Sequence, residues 1–144
     1  GILRYREDEF LDQQGKIEQV RSRLTLIGPT SEDKFEQEVL LSRSRYLAPA
    51  TQSPRFYREY FKPHLEKEIE KDRVRYLVSY KDVEFFINFD NIKKPDLGCF
   101  MEIKSRTWSR QDAEMKSKLV TELIEFLGAD LEEATSEDYI EMVR

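Results

Sequence analysis

Cysteine occurs once, at Cys99, and histidine once, at His64. A lone cysteine leaves no internal disulfide, which fits a reducing cytoplasm. One Cys with one His cannot close a tetrahedral zinc site. Repeats, low-complexity tracts and long Gly/Ser linkers are missing, and glycine and proline appear only five times each. No apolar run approaches the roughly 18 residues of a membrane helix. The amino end, Gly1-Ile2-Leu3-Arg4-Tyr5-Arg6, lacks the apolar block of a signal peptide. A cytoplasmic protein without a membrane partner is therefore expected. A basic excess is also missing: 24 Lys and Arg stand against 29 Asp and Glu, for a net charge of −5. Nucleic-acid binding by bulk charge is disfavoured on that count, so any anion site has to be local. The first residue is not Met, and the chain reads as an excised piece with a fused or partner domain N-terminal to Gly1.

What is present is a well-mixed chain, 39% hydrophobic and 37% charged over 144 residues. That composition fits one soluble globular domain, 1–144, with a core of its own. Lys16 to Ile27 alternates, with Val20, Ser22, Leu24 and Leu26 opposing Arg21, Arg23 and Thr25, and reads as a strand ended by Gly28-Pro29. Glu38 to Tyr46 is a second candidate strand, and Ala48 to Pro54 a loop. Phe56 to Asp72 is expected to be helical, bent or restarted at Pro63. Tyr57, Tyr60 and Phe61 there read as core residues, and Trp108 as a packing residue at the start of a later helix.

Arg73 to Arg106 is the most informative stretch. Strands 73–80 and 84–90 are joined by Lys81-Asp82-Val83, and Pro95-Asp96-Leu97-Gly98 turns the chain into a strand over 99–107. Residues two apart on a strand share a face. Arg73 with Arg75, and Glu102 with Lys104 and Arg106, therefore line up bases and an acid on single faces. Such a row is costly against an apolar core, so it meets water or a polar cavity shaped for an anion. A helix follows, capped by Ser109 with Asp112 completing the box and Gly128 stopping it. Its apolar stripe is Met115, Leu119, Val120, Leu123 and Leu127. The tail from Tyr139 to Val143 is a short strand or a helical turn. The pattern is α+β, an antiparallel sheet with helices packed outside.

Lys71-x-Arg73, then Phe89-Asp90, then Leu97-Gly98-x-Phe100-x-Glu102-Ile103, resembles the second half of a CYTH domain. That superfamily, the triphosphate tunnel metalloenzymes, includes thiamine triphosphatases, inorganic triphosphatases and class IV adenylate cyclases. Val20-Arg21-Ser22-Arg23-Leu24 is similar to its LRLR strand, Leu41-Ser42-Arg43 to its LT-x-K strand, and Arg58-Glu59 to its R-x-E element. Ser136 to Glu141 is an imperfect S-Y-x-E-L. The resemblance implies antiparallel strands curved into a closed or partly open tunnel barrel that grips a triphosphate-containing small molecule. It implies Arg21, Arg23, Arg43, Lys71, Arg73, Arg75 and Lys104 as substrate-binding bases. Glu59, Asp90 and Glu102 would be ligands for Mg²⁺ or Mn²⁺, with Glu102 and Lys104 catalytic. Arg suits phosphate through its planar fork, and hard oxygen ligands suit those ions.

Two features depart from the pattern. The opening E-x-E-x-K strand has no clear counterpart, because Glu7-Asp8-Glu9-Phe10 lies too close to Val20 for the usual intervening helix. The last acid of E-I-E is Lys104, which favours phosphate over metal. Two other classes stay open. Pro95-Asp96-x(5)-Glu102-Ile103-Lys104 fits a PD-(D/E)xK nuclease, which would place a central parallel sheet between helices. A non-catalytic nucleotide- or polyphosphate-binding module is the third class.

Overall fold

The structure, a computed structural model, describes residues 2–28, 33–34, 40–41, 45–135 and 137–143. The chain divides into two compact units, the first comprising Gly1–Asp33 and Ser42–Glu66 and the second Lys34–Leu41 and Lys67–Arg144. The fold is α+β, built on two three-stranded antiparallel sheets. Among the described residues no closed barrel forms.

The first unit opens with β1 (Ile2–Leu11), which pairs antiparallel with β2 (Ile17–Ile27). The sequence pattern left β1 unassigned; it is a full strand. The Asp12 carboxylate accepts hydrogen bonds from the backbone N–H groups of Gln14 and Lys16, each at 2.9 Å, and Gly15 takes a φ of 81°. An Asx turn with glycine in the left-handed region makes the reversal. Next in the chain comes a two-residue pair, β3 (Asp33–Lys34) with β4 (Leu40–Leu41), whose Lys34–Leu41 part belongs to the second unit, and β5 (Arg45–Pro49) then joins β2 as the third strand of the first unit's sheet. The rest of the expected 38–46 strand lies outside the described residues.

Helix α1 covers Pro54–Phe61, with Pro at its first position and Lys62 in the left-handed region (φ 48°) at its end. The helix expected over 56–72 thus stops at Pro63 rather than bending through it. Proline has no N–H to donate and biases the residue before it away from the helical region. Tyr57 is buried and packs on Tyr5 with ring centroids 6.0 Å apart. Tyr60 and Phe61 are exposed, contrary to the core role expected of them.

The second unit carries β6 (Glu70–Tyr80), β7 (Val83–Lys94) and β8 (Gly98–Lys104) in that spatial order. Lys81 and Asp82 form a two-residue loop, both with positive φ (47° and 63°). That is the turn geometry that matches strand twist in a tight hairpin. Alternation then splits the sheet. Phe85, Ile87 and Ile103 face α2 (Arg110–Phe126), where Val120 and Leu123 close a buried cluster. Each such apolar side chain contributes about 1.5–3 kcal/mol when fully buried. The Ser109 side chain accepts from the Asp112 N–H at 3.0 Å, as a cap should. Met115 and Leu127, expected in the stripe, are nearly half exposed, and Trp108 is 82% exposed rather than packed. A 3₁₀ turn (Leu131–Glu133) and the four-residue α3 (Tyr139–Met142) end the unit. Among the described residues, no helix is long and apolar enough to cross a membrane.

Candidate anion-binding site

The face of the second sheet opposite its apolar cluster is polar. On the ladder, Arg73 opposes Asp90 and Arg75 opposes Asn88, which in turn opposes Glu102. Cross-strand partners share a face, so Lys71, Arg73, Arg75, Asn88, Asp90, Glu102 and Lys104 line one surface.

Asp90 and Arg73 form its centre. Arg73 donates from Nε to Asp90 Oδ1 at 2.7 Å and from Nη2 to Oδ2 at 2.8 Å. This is the bidentate fork that makes Arg–carboxylate pairs strong. The Tyr139 hydroxyl donates to the same Oδ2 at 2.8 Å, and Lys71 Nζ stands 3.8 Å from it. Asp90 is 2% exposed. Burial alone would raise its pKa, but the Arg73 and Tyr139 hydrogen bonds and the charges of Arg73 and Lys71 hold it below the usual carboxylate value. Arg73 is shifted up by the same pairing despite its burial. Burial and the bond to Asp90 push the Tyr139 hydroxyl well above its ordinary value.

Glu102 Oε1 accepts from Asn88 Nδ2 at 3.0 Å and from Arg73 Nη2 at 3.4 Å, with Lys104 Nζ at 3.3 Å. Burial works to raise its pKa, and Lys104, Asn88 and Arg73 together outweigh it. Arg75 Nε donates to Asn88 Oδ1 at 2.8 Å and its guanidinium lies 5.0 Å from the Phe86 ring. Lys71 and Arg73 thus share Asp90, Arg73 and Lys104 share Glu102, and Arg73 Nη1 is buried without a hydrogen-bond partner.

Five of the sequence-predicted substrate bases can be placed by side chain or strand outside Lys104: Lys71, Arg73 and Arg75 here, and Arg21 and Arg23 on β2 of the first unit. Arg43 lies outside the described residues. Of the expected metal ligands, Asp90 and Glu102 are in this network. Glu59 sits on α1 of the first unit, 66% exposed and bonded to Arg55 Nε at 2.9 Å. Asn88 and Tyr139 were not singled out from sequence. Asn88 carries no charge to mark it, though its period-2 spacing from Asp90 could have found it. Tyr139 reaches Asp90 across 49 residues.

Among the described residues, no three His, Cys, Asp or Glu side chains gather so as to hold a metal ion. Asp90 already accepts on both oxygens, and one Glu102 oxygen is shared among three donors. The donor set of this face therefore does not fit Mg²⁺ or Mn²⁺. No family of proteins, no curated protein and no solved structure matches the chain.

Proposed function

We propose that the second unit binds a triphosphate-containing small molecule (inorganic triphosphate or a nucleoside or thiamine triphosphate) through Lys71, Arg73, Arg75 and Lys104. The proposal is of a binding module and not of a metal-dependent hydrolase. A cytoplasmic setting and a tunnel-like curvature of the strands belong to the same proposal. The observation that carries it is Arg73, clamped by Asp90 with Nη1 turned away from that carboxylate, buried and unpartnered. A buried donor without an acceptor is costly, and a phosphate oxygen supplies one. Lys104, 49% exposed at its side chain, adds a cation that ligand can reach. Asp90 acts here as a positioning residue that fixes the guanidinium fork.

A PD-(D/E)xK nuclease is the less supported reading, because the ladders of both three-stranded sheets are antiparallel. Calorimetry with inorganic triphosphate in EDTA tests the proposal. A charge-assisted contact is worth about 1.5–3 kcal/mol, and about 1.4 kcal/mol is tenfold. Arg73→Ala is therefore expected to weaken binding at least about tenfold, and Lys104→Ala less. Unchanged affinity in both variants would remove the proposal. Phosphate release with Mg²⁺ at about 1 s⁻¹ or more would restore the hydrolase.

A further inference from the structure

We infer that the segment 137–143 is a strap that closes one half of the triphosphate site, is latched by Tyr139 and is displaced by the ligand. The inference rests on the triphosphate reading above and concerns the regulation of that same site.

The proposed bases are not equally reachable. Lys71 and Arg73 are 20% and 13% exposed at their side chains, whereas Lys104 is 49% exposed and Arg75 is also exposed. The tail lies on the closed half. The Tyr139 hydroxyl donates to Asp90 Oδ2 at 2.8 Å, the same oxygen that Arg73 Nη2 reaches at 2.8 Å. The Tyr139 ring packs on Phe100 with centroids 5.3 Å apart, and Lys71 Nζ lies 4.9 Å from its own centroid. Phe100 opposes Asp90 on the β7–β8 ladder, so it shares the face of the bases. One residue beyond Tyr139, the Ile140 carbonyl accepts from Lys67 Nζ at 3.3 Å. The strap is thus fastened to the binding face itself.

That fastening is built to give way. Helix α3 is four residues long, far below the length at which a helix holds in water by itself. Its capping box closes the turn internally, the Glu141 carboxylate accepting from the Asp138 N–H at 3.3 Å. Attachment to the sheet therefore falls on Tyr139, helped by the Lys67 bond. Tyr139 offers Lys71 only a ring face and Asp90 only a neutral donor. A cation–π contact is weaker than a charge-assisted bond to phosphate, so a phosphoryl oxygen outcompetes the ring for Lys71. Asp90 keeps the paired bonds from Arg73 when the hydroxyl leaves. Arg73 Nη1, buried without a hydrogen-bond partner while the strap is closed, then gains an acceptor. A ligand that binds only the open state has its affinity reduced by the fraction of chains that are open. The strap thereby sets the triphosphate concentration at which the site fills.

The test titrates the full 144-residue chain with inorganic triphosphate in excess EDTA. Tyr139→Phe keeps the ring and deletes the latch bond, and it should tighten binding about tenfold. Tyr139→Ala, which removes the ring as well, should tighten it further. Unchanged or weaker binding in Tyr139→Phe overturns the strap. A second measurement needs no substitution and covers a variant that fails to fold. In the unsubstituted chain, the nuclear Overhauser contact between the Tyr139 and Phe100 rings should disappear as triphosphate saturates the site. Saturation with that contact intact overturns the strap and leaves the triphosphate reading standing. Binding by Tyr139→Phe where the unsubstituted chain shows none would be the strongest support. Absence of binding in all three chains removes the triphosphate reading and the strap with it.

Discussion

On β6 of the second unit, Arg73 meets a buried carboxylate that both of its facing nitrogens can reach. On β2 of the first unit, Arg23 faces Arg6 across the ladder and shares Asp8 with Arg6 and Arg21. Both strands repeat bases at every second residue, and what lies opposite separates them. Where Asp90 supplies a paired counter-charge, the cation is stabilised and the network becomes part of the packing. Where Asp8 must serve three partners, Arg23 is left destabilised. What a row of arginines on a strand does thus depends on its cross-strand partners and not on its own spacing alone.

Removing the counter-charge from each sheet should break this comparison most sharply. Asp90→Ala leaves Arg73 buried and uncompensated and is expected to cost about 3–5 kcal/mol, read from urea unfolding. Asp8→Ala relieves no buried bidentate pair and should cost about 1 kcal/mol. Equal losses would show that the two carboxylates do the same job. Acid should act in the same direction. The folded-state pKa values of Asp90 and Glu102 lie below their ordinary values of 3.8 and 4.5. Their contribution is therefore complete above that range and lost as pH falls through the lowered values. Unfolding midpoints should hold from pH 7 to about pH 5 and fall below it, and Asp90→Asn should flatten that fall.

Tyr139→Phe comes next. It deletes one hydrogen bond to a buried carboxylate while keeping the ring beside Phe100, 5.3 Å between centroids. A bond to a charged group is worth about 1.5–3 kcal/mol, and that loss is expected at neutral pH. The hydroxyl's raised pKa adds a second signature. A group with a raised folded pKa stabilises below its unfolded value, here 10.0, and that stabilisation drains away as pH climbs towards the folded value. The native chain should lose stability above about pH 10 and the Phe variant less of it. A Phe variant with an identical alkaline limb would place the titration elsewhere.

Much of the second unit was legible because its strands alternate cleanly. Arg73 with Arg75 and Glu102 with Lys104 fall on one face by period 2 alone, and Lys81-Asp82 and Ser109 mark their turn and cap. The triphosphate tunnel resemblance implies Asp90 as a metal ligand, whereas in the fold both of its oxygens face Arg73, Lys71 and Tyr139. β1 was missed for a physical reason. Glu7 and Glu9 put charge on the face opposite Arg4, Arg6 and Asp8, so neither side reads as core. Helix α1 was overextended because the 65–72 segment carries no glycine to stop it, whereas Pro63 alone suffices. Tyr139 could not be placed on Asp90 from local pattern, since its contact depends on how the tail returns to the sheet.

The smallest expected effect sharpens the comparison from the side of the metal. Glu59 is the one acid of the first unit that the triphosphate tunnel resemblance assigns to metal binding, and it sits on an exposed helical turn bonded to Arg55 four residues earlier. Exposed pairs at that spacing contribute about 0.3–0.5 kcal/mol. Glu59→Gln should therefore shift the unfolding midpoint by no more than that, and leave triphosphate affinity unchanged with or without Mg²⁺. Both observables matter, because a metal ligand and a surface pair predict the same small change in stability and differ only in the metal-dependent titration. A Mg²⁺-dependent loss of triphosphate binding in Glu59→Gln would mean that acids beyond Asp90 and Glu102 hold a cation. Phosphate recognition by arginine alone would then be the wrong account of this chain.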